Sequence, residues 1–454
     1  MTTPSISARL ERLPPTRGFW RRVTLLSLGG FFEFYDMFLT AYVVPGLVRA
    51  HILSPTAPGL FGGVAGFVAS FFAGLFLGTA VFGFVADRLG RRAIFTFSLL
   101  WYAVTASVMA FQHDAFWLDV WRFAGGIGIG VELVTIDTYI AEIAPKEARG
   151  RAFAYANVIQ FLSIPLVALL AFLLVPRAPF GFDGWRIVVL AGAAGAALVW
   201  FIRRGVPESP RWLAQHGRSD AAARIVTAWE VEARIEKGDL PPPSPGMLDT
   251  KGRGRFAEIF KPPYRSRAVM LIAFNLFQAA GYYGFASWIP TLLISQGIAV
   301  TTSLQYTFII AIAAPFGPLL GLLFTDRIER KWIIVGAALA IVGAGLAFAG
   351  AHGAAAVIAC GVALTLANNI LSFAYHGYQP ELFPTRIRAM AVGFVYSFSR
   401  IATMFSAFLI AAVLNGFGAP GVFLFIAGCM AVVATVIGLF GPRTGNLALE
   451  AISR

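Results

Sequence analysis

The chain has 454 residues, of which 58% are hydrophobic, 14% aromatic and 13% charged, with a formal net charge of +13 and a mean hydropathy of +0.73. A soluble globule of this length needs far more surface charge, so the composition excludes that class and points to lipid as the solvent. Its two cysteines, Cys360 and Cys429, both lie in apolar runs and exclude a disulfide framework.

Residues 1–19 form a charged tail containing Pro14 and Pro15, and the first apolar run has no small-residue cleavage site, so no cleavable leader is expected. About 20 residues cross a bilayer core. Twelve apolar stretches near that length follow, at 20–44, 61–86, 93–112, 116–140, 150–175, 184–203, 267–292, 304–325, 332–351, 354–378, 389–414 and 420–441. The polar stretch 204–266, with Pro241-Pro242-Pro243, divides six from six and predicts a soluble linker with a short helix near 218–236. The expected units are tails over 1–19 and 442–454, bundles over 20–203 and 267–441, and the linker between them.

The first stretch carries Glu33 and Asp36, spaced i, i+3 on one helix face. Two carboxylates so placed in a low dielectric do not both ionise easily, so one is expected to hold a proton. The fourth stretch carries Arg122, the expected partner of that acidic face, then Glu132 and Asp137. Uptake of a proton would break such a pair. A charge at bilayer depth costs at least about 2.5–3.5 kcal/mol on insertion scales, so it faces a cavity and a partner, or serves as a structural ion pair. Gly125, Gly126, Gly128 and Gly130 look superficially like a phosphate cradle, but inside an apolar helix small residues allow close packing.

In the seventh stretch Gln278, Tyr282 and Tyr283, candidate site residues, precede Trp288 and Pro290, although aromatic residues are common in any membrane helix. In the tenth, Asn368 and Asn369 are two mid-membrane amides, either site residues or inter-helix glue; His376, near the end, reads as structural. The eleventh has Arg400 near its middle, with no acidic residue between Arg388 and the end of the stretch. An unpaired guanidinium suits a carboxylate ligand, which it binds bidentately; the alternative is a carboxylate on another helix.

The loops repeat. Asp87-Arg88 recurs as Asp326-Arg327, Glu142-x-x-Pro145 as Glu381-x-x-Pro384, and Arg149 as Arg388, each after 239 residues. Coincident offsets argue for duplication of a six-helix unit, the plan of many secondary transporters. With the N-terminus cytoplasmic, 31 of the 36 basic residues fall on that side; Arg49, Arg177 and Arg186 lie outside, and Arg122 and Arg400 within helices. The asymmetry places both termini inside. It explains the net charge as a topology signal, so no nucleic-acid partner is expected.

Gly83-Phe84-Val85-Ala86-Asp87-Arg88-Leu89-Gly90-Arg91-Arg92 resembles the signature loop between helices 2 and 3 of the major facilitator superfamily. Arg122-x-x-x-Gly126-x-x-x-Gly130 is similar to its fourth-helix motif. Pro207-Glu208-Ser209-Pro210-Arg211 and Pro380-Glu381-Leu382-Phe383-Pro384 are similar to loops of its sugar porters and organic-ion or niacin-type transporters. The resemblance covers residues 20–440. It implies an all-α membrane protein with twelve transmembrane helices in two six-helix bundles. In the second copy Leu322 and Glu329 replace Gly83 and Gly90, a departure from the loop's pattern.

The resemblance also implies roles. In sugar porters a helix 1 Asp and a helix 4 Arg, matched by Asp36 and Arg122, couple protons. Glu132 resembles the acidic residue of a Gly-Gly-Glu motif in metabolite–proton symporters. Where sugar porters keep a Gln-Gln pair and an Asn in helix 7, this chain has Phe277-Gln278 and Tyr283, which disfavours a sugar. Arg400 is similar to arrangements in organic-anion and niacin-type transporters. Asp87, Arg88, Arg91, Glu142, Arg149, Asp326, Arg327, Glu381 and Arg388 are expected either to cap helices or to latch the two halves on the cytoplasmic side.

No Walker-type loop, metal cluster or nucleophile–base set is visible in the sequence, so no cofactor and no enzymatic activity are expected. The expected function is proton-coupled symport of a small organic anion across the inner membrane by a monomer. A sugar or polyol transporter and a transporter-shaped ligand sensor are the alternatives.

Overall fold

In a computed structural model of the chain, the described residues are 5–55, 61–203, 205–243, 255–325, 328–351, 353–384 and 387–444. They are almost wholly helical, with one isolated bridge between Ser54 and Gly63. Twelve rods make up two bundles. The first holds α1 (Arg17–Arg49), α2 (Val64–Leu89), α3 (Arg91–Ala110), α4 (Ala115–Ile143), α5 (Lys146–Phe161 and Ser163–Leu174) and α6 (Gly184–Arg203). The second holds α7 (Tyr264–Ala286 and Ile289–Ser295), α8 (Val300–Ala311 and Phe316–Thr325), α9 (Arg330–Ala349) and α10 (Ala354–Tyr378). Its last two rods, α11 (388–417) and α12 (419–440), run on from one another.

Local chemistry sets these ends. Thr16 caps α1 by accepting from the Phe19 amide at 3.1 Å, and Asp114 caps α4 from Trp117 at 3.0 Å. Interruptions were not expected within spans. The α7 helix breaks at Ser287–Trp288 because Pro290 has no amide to donate and its ring disfavours a continuous helix; α8 breaks over 312–315, at Pro315. The reverse holds between α11 and α12. A loop over 415–419 was expected, but only Gly418 leaves helical geometry, at φ 67° and ψ −170°, with Pro420 two residues on.

The first bundle is closed by backbone contact between α2 and α4. A Cβ at Gly126 would lie 2.3 Å from the Phe71 carbonyl oxygen, and one at Gly130 would lie 2.4 Å from that of Leu75. From the other side, a Cβ at Gly74 would lie 2.1 Å from the Phe123 oxygen. Small residues let the two backbones touch. The two bundles meet in a seam where Phe72 of α2 stacks edge-on against Tyr283 of α7 at 4.7 Å, and Phe172 of α5 lies parallel to Phe308 of α8.

The N-terminal helix Ile6–Glu11 and the linker helices Pro210–Gln215 and Ser219–Lys237 share one end of the molecule, here called the terminal side. Arg9 and Arg12 pair with Glu230 at 2.7 and 2.8 Å. Glu11 receives Arg149 at 2.9 Å and Arg211 at 2.6 Å, tying the N-terminal segment to α5 and the linker. Helices α1, α3 and α5 run away from this side; α2, α4 and α6 return to it.

Candidate functional site

The interior of the first bundle holds two ion pairs. On α1, Asp36 and Thr40 are one turn apart and face Arg122 of α4. Arg122 donates to Asp36 Oδ1 at 2.7 Å, to the Asp36 carbonyl at 2.6 Å and to Thr40 Oγ1 at 2.7 Å. The side chains are 2% and 1% exposed. The guanidinium rests on the face of Phe71, 4.1 Å from its centroid. The second Asp36 oxygen, Oδ2, has no partner among the described residues.

Nearer the terminal side, Arg203 of α6 donates to Glu132 Oε1 of α4 at 2.7 Å, and Ser98 of α3 donates to Glu132 Oε2 at 2.8 Å. Arg203, counted from the sequence among the basic residues of the cytoplasmic side, is buried and lies over the Phe95 ring at 4.4 Å. Glycine makes room for it: a Cβ at Gly29 of α1 would sit 2.0 Å from its Nη1. Glu33 is buried in the same region with Oε1 unpartnered. Asp137, one to two turns further along α4, is exposed.

In the second bundle Arg400 is 3% exposed. It donates to the hydroxyls of Tyr283 and Tyr396, each at 3.2 Å, and stacks over the Tyr396 ring. Among the described residues it forms no ion pair with a carboxylate. The Tyr283 hydroxyl in turn meets Met37 Sδ of α1 at 3.4 Å, so this cluster sits on the seam between bundles.

Beside it opens a small cavity of about 40 Å³. It is lined from α1 by Phe38 and Tyr42, from α7 by Tyr282 and Phe285, from α8 by Thr307, and from α10 by Thr365, Asn368 and Asn369. Tyr282 donates to Asn369 Oδ1 at 3.1 Å, and Asn369 donates to the carbonyl of Ala314 at the break in α8. Asn368 Oδ1 is buried and unpartnered. Of the expected ligand residues, Tyr282, Asn368 and Asn369 line this cavity. Gln278, Tyr283 and Arg400 do not: Tyr283 turns to the seam, where its ring packs on Tyr282 at 5.0 Å and its hydroxyl holds Arg400 behind it.

The loop motifs pair within bundles. Arg91 binds Glu142 at 3.1 Å, Arg330 binds Glu381, Arg149 reaches the Ala144 carbonyl, and Arg388 reaches that of Phe383. Among the described side chains, Glu208 of the linker accepts the first amides of α3, at 3.0 Å from Arg91 N and 3.2 Å from Arg92 N. Gly90, at φ 96°, admits it: a Cβ there would lie 2.2 Å from Glu208 Oε2. Arg88 is exposed, the side chain of Asp87 lies outside the described residues, and so do Asp326 and Arg327.

The family described as "Sugar (and other) transporter" matches residues 23–454. The chain is 30% identical over 462 residues to the inner membrane metabolite transport protein YdjE of Escherichia coli (strain K12), covering 99% of this chain and 98% of that one. It is 27% identical to the niacin transporter NiaP of Acinetobacter baylyi (strain ATCC 33305 / BD413 / ADP1), over 98% and 99% of the two chains. Among solved structures it resembles a partially occluded inward-open conformation of the xylose transporter XylE from E. coli, with a TM-score of 0.77 and 18% identity over 94% of this chain and 99% of that one.

Proposed function

The chain belongs to the sugar (and other) transporter family, and from that premise we propose that it carries a small organic anion, with a carboxylate group, together with a proton across the inner membrane by alternating access. The terminal side is then cytoplasmic, where the basic residues concentrate. Arg400 carries the reading for the anion. Among the described residues, this guanidinium at the seam has phenol hydroxyls as its acceptors and no carboxylate, and a buried charge is costly without an anionic partner. A carboxylate entering the adjacent cavity would supply it, with the Tyr282 and Asn369 edge orienting the rest of the ligand and Tyr283 as the side chain that turns aside. Asp36 and Arg122 would be the proton-sensitive pair, and the loop charges would re-pair as the bundles rock.

A second reading rests on the cavity lining. Thr307, Thr365, Asn368 and Asn369 are polar and uncharged, which would suit the hydroxyls of a sugar or polyol. The two readings separate in a thermal-shift screen of purified protein. A ligand at a hundred times its Kd stabilises by about 2.7 kcal/mol. Nicotinate and benzoate are expected to raise Tm, whereas nicotinamide, xylose and arabinose are not; stabilisation by a sugar alone would replace the anion reading with the second.

A further inference from the structure

The buried charges of the first bundle do not balance. Asp36, Glu33 and Glu132 face Arg122 and Arg203, three carboxylates against two guanidinium groups, all at most 3% exposed. Glu33 is surrounded by charge from two neighbouring helices: Glu132 and Asp137 of α4 and Arg203 of α6, with Asp36 on its own helix. The facing residues of α3 and α5, Ser98 and Gln160, are polar and neutral. Asp119, also buried, stands 13 residues before Glu132 on α4, about 20 Å away at about 1.5 Å per residue, and so belongs to the far end.

The hydrogen bonds show which group is spare. Asp36 and Glu132 each accept from an arginine, whereas Glu33 Oε1 is buried with no partner. Arg203, next to it, uses one nitrogen on Glu132 and leaves Nε and Nη2 buried and unpartnered. A spare acceptor beside two spare donors is an arrangement with a second way to pair. From this geometry we infer that Glu33 is a proton-carrying site, neutral in the conformation seen, and that Arg203 is its switch partner, bound to Glu132 alone while Glu33 holds its proton and shared between both carboxylates once the proton leaves.

One proton on Glu33 makes the five-group cluster neutral, and its loss turns a neutral carboxyl into a third carboxylate. Only an O–H bond breaks and forms. Asp36, one turn away on α1, takes up the proton when Arg122 is displaced and gives it to Glu33 when Arg122 returns to pair with the Asp36 carboxylate; from Glu33 it departs towards the exposed Asp137. Recruitment of Arg203 to Glu33 draws the end of α6 against α1, where Gly29 already allows contact. The inference deepens the symport reading and rests on it for the use of the proton, but the site itself can be tested without a substrate.

The experiment is a pH titration of the purified protein followed by infrared absorption of protonated carboxyl groups. Wild type is expected to keep a protonated-carboxyl band at neutral pH that Glu33→Gln lacks and Asp36→Asn retains. Removing the incoming cation should make the proton harder to lose, so Arg203→Gln should hold the band to a pH higher by one unit or more. Arg203→Gln leaves Glu132 buried and unpaired, so the double variant Arg203→Gln/Glu132→Gln, which removes both charges, provides a folded comparison; the band should persist there and report Glu33 alone. A band that survives Glu33→Gln, or one that disappears in the double variant, overturns the assignment. Loss of the band in wild type together with uncoupler-sensitive uptake would sink this site and leave proton coupling standing. An intact band with uptake indifferent to uncouplers would support the site and sink the coupling.

Discussion

At the scale of the residue, two buried arginines differ in what compensates them. Arg122 has Asp36 and Thr40 within hydrogen-bond reach; among the described residues Arg400 has two tyrosine hydroxyls and no carboxylate. Asp36→Asn should therefore abolish accumulation against a gradient while leaving exchange across the membrane, a split that efflux and counterflow assays of the same vesicles resolve. Arg400→Ala should weaken carboxylate binding by about 2–5 kcal/mol, roughly 30-fold or more. Arg400→Lys should fare little better, because an ammonium cannot reproduce the planar fork; titration calorimetry with nicotinate measures both. Outside the membrane, burial alone would push the Glu230 carboxyl up, but the hydrogen bonds and charges of Arg9 and Arg12 outweigh it and hold it below its ordinary value of 4.5. The stability it contributes is present above that value and is lost as pH falls through the lowered one. Limited proteolysis at decreasing pH should then release the N-terminal segment only below about 4.5, and Glu230→Gln should release it at neutral pH. Some of these residues were legible in the sequence and some were not. Glu33, Asp36, Arg122 and Glu132 stand out as charges in apolar runs. Arg203 did not, because it ends α6 beside Arg204 and has the appearance of a topology charge; Glu132, with no basic partner in the sequence nearby, was the clue that a cation had to come from elsewhere.

At the scale of the element, glycine decides how close helices come. Gly130 of α4 faces the Leu75 carbonyl of α2 with no room for a side chain, whereas a Cβ at Gly336 of α9 would meet nothing within 4 Å. Leucine at position 130 must force the backbones apart. Overpacking costs typically about 1–3 kcal/mol, so Gly130→Leu should lower the unfolding temperature of the purified protein while Gly336→Leu leaves it unchanged. Helix existence was readable from apolar run length, since the bilayer sets it. Helix breaks were less so: Pro290 and Pro315 mark them, but proline inside a membrane helix is tolerated when neighbours satisfy the freed groups, and here Asn369 takes the Ala314 carbonyl. The α11–α12 junction was overcalled as a loop because Gly416, Gly418 and Pro420 signal a turn, and one residue in the left-handed region suffices. The capping of α3 by Glu208 was hidden for another reason, since 117 residues separate it from Arg91.

At the scale of the molecule, the repeat offset of 239 residues and the distribution of basic residues carry the architecture. In the orientation proposed above the linker faces the cytoplasm, so a cysteine introduced at Leu240 should resist labelling by a membrane-impermeant reagent in intact cells and react after the membrane is opened. The Arg91–Glu142 and Arg330–Glu381 ion pairs stay within their bundles, and Phe72 with Tyr283 and Phe172 with Phe308 make ring contacts across the seam. Division of labour follows: the first bundle gathers the paired carboxylates and the second the uncompensated cation, so proton and anion would be handled on opposite sides of one seam. The direct test of that account is transport by purified protein in liposomes under an imposed pH gradient, alkaline inside, with radiolabelled nicotinate and xylose. Nicotinate should accumulate above its external concentration, and the accumulation should collapse on adding a protonophore and be absent in Arg400→Ala and Asp36→Asn. Accumulation of xylose without nicotinate, or nicotinate uptake that ignores the gradient, would contradict it.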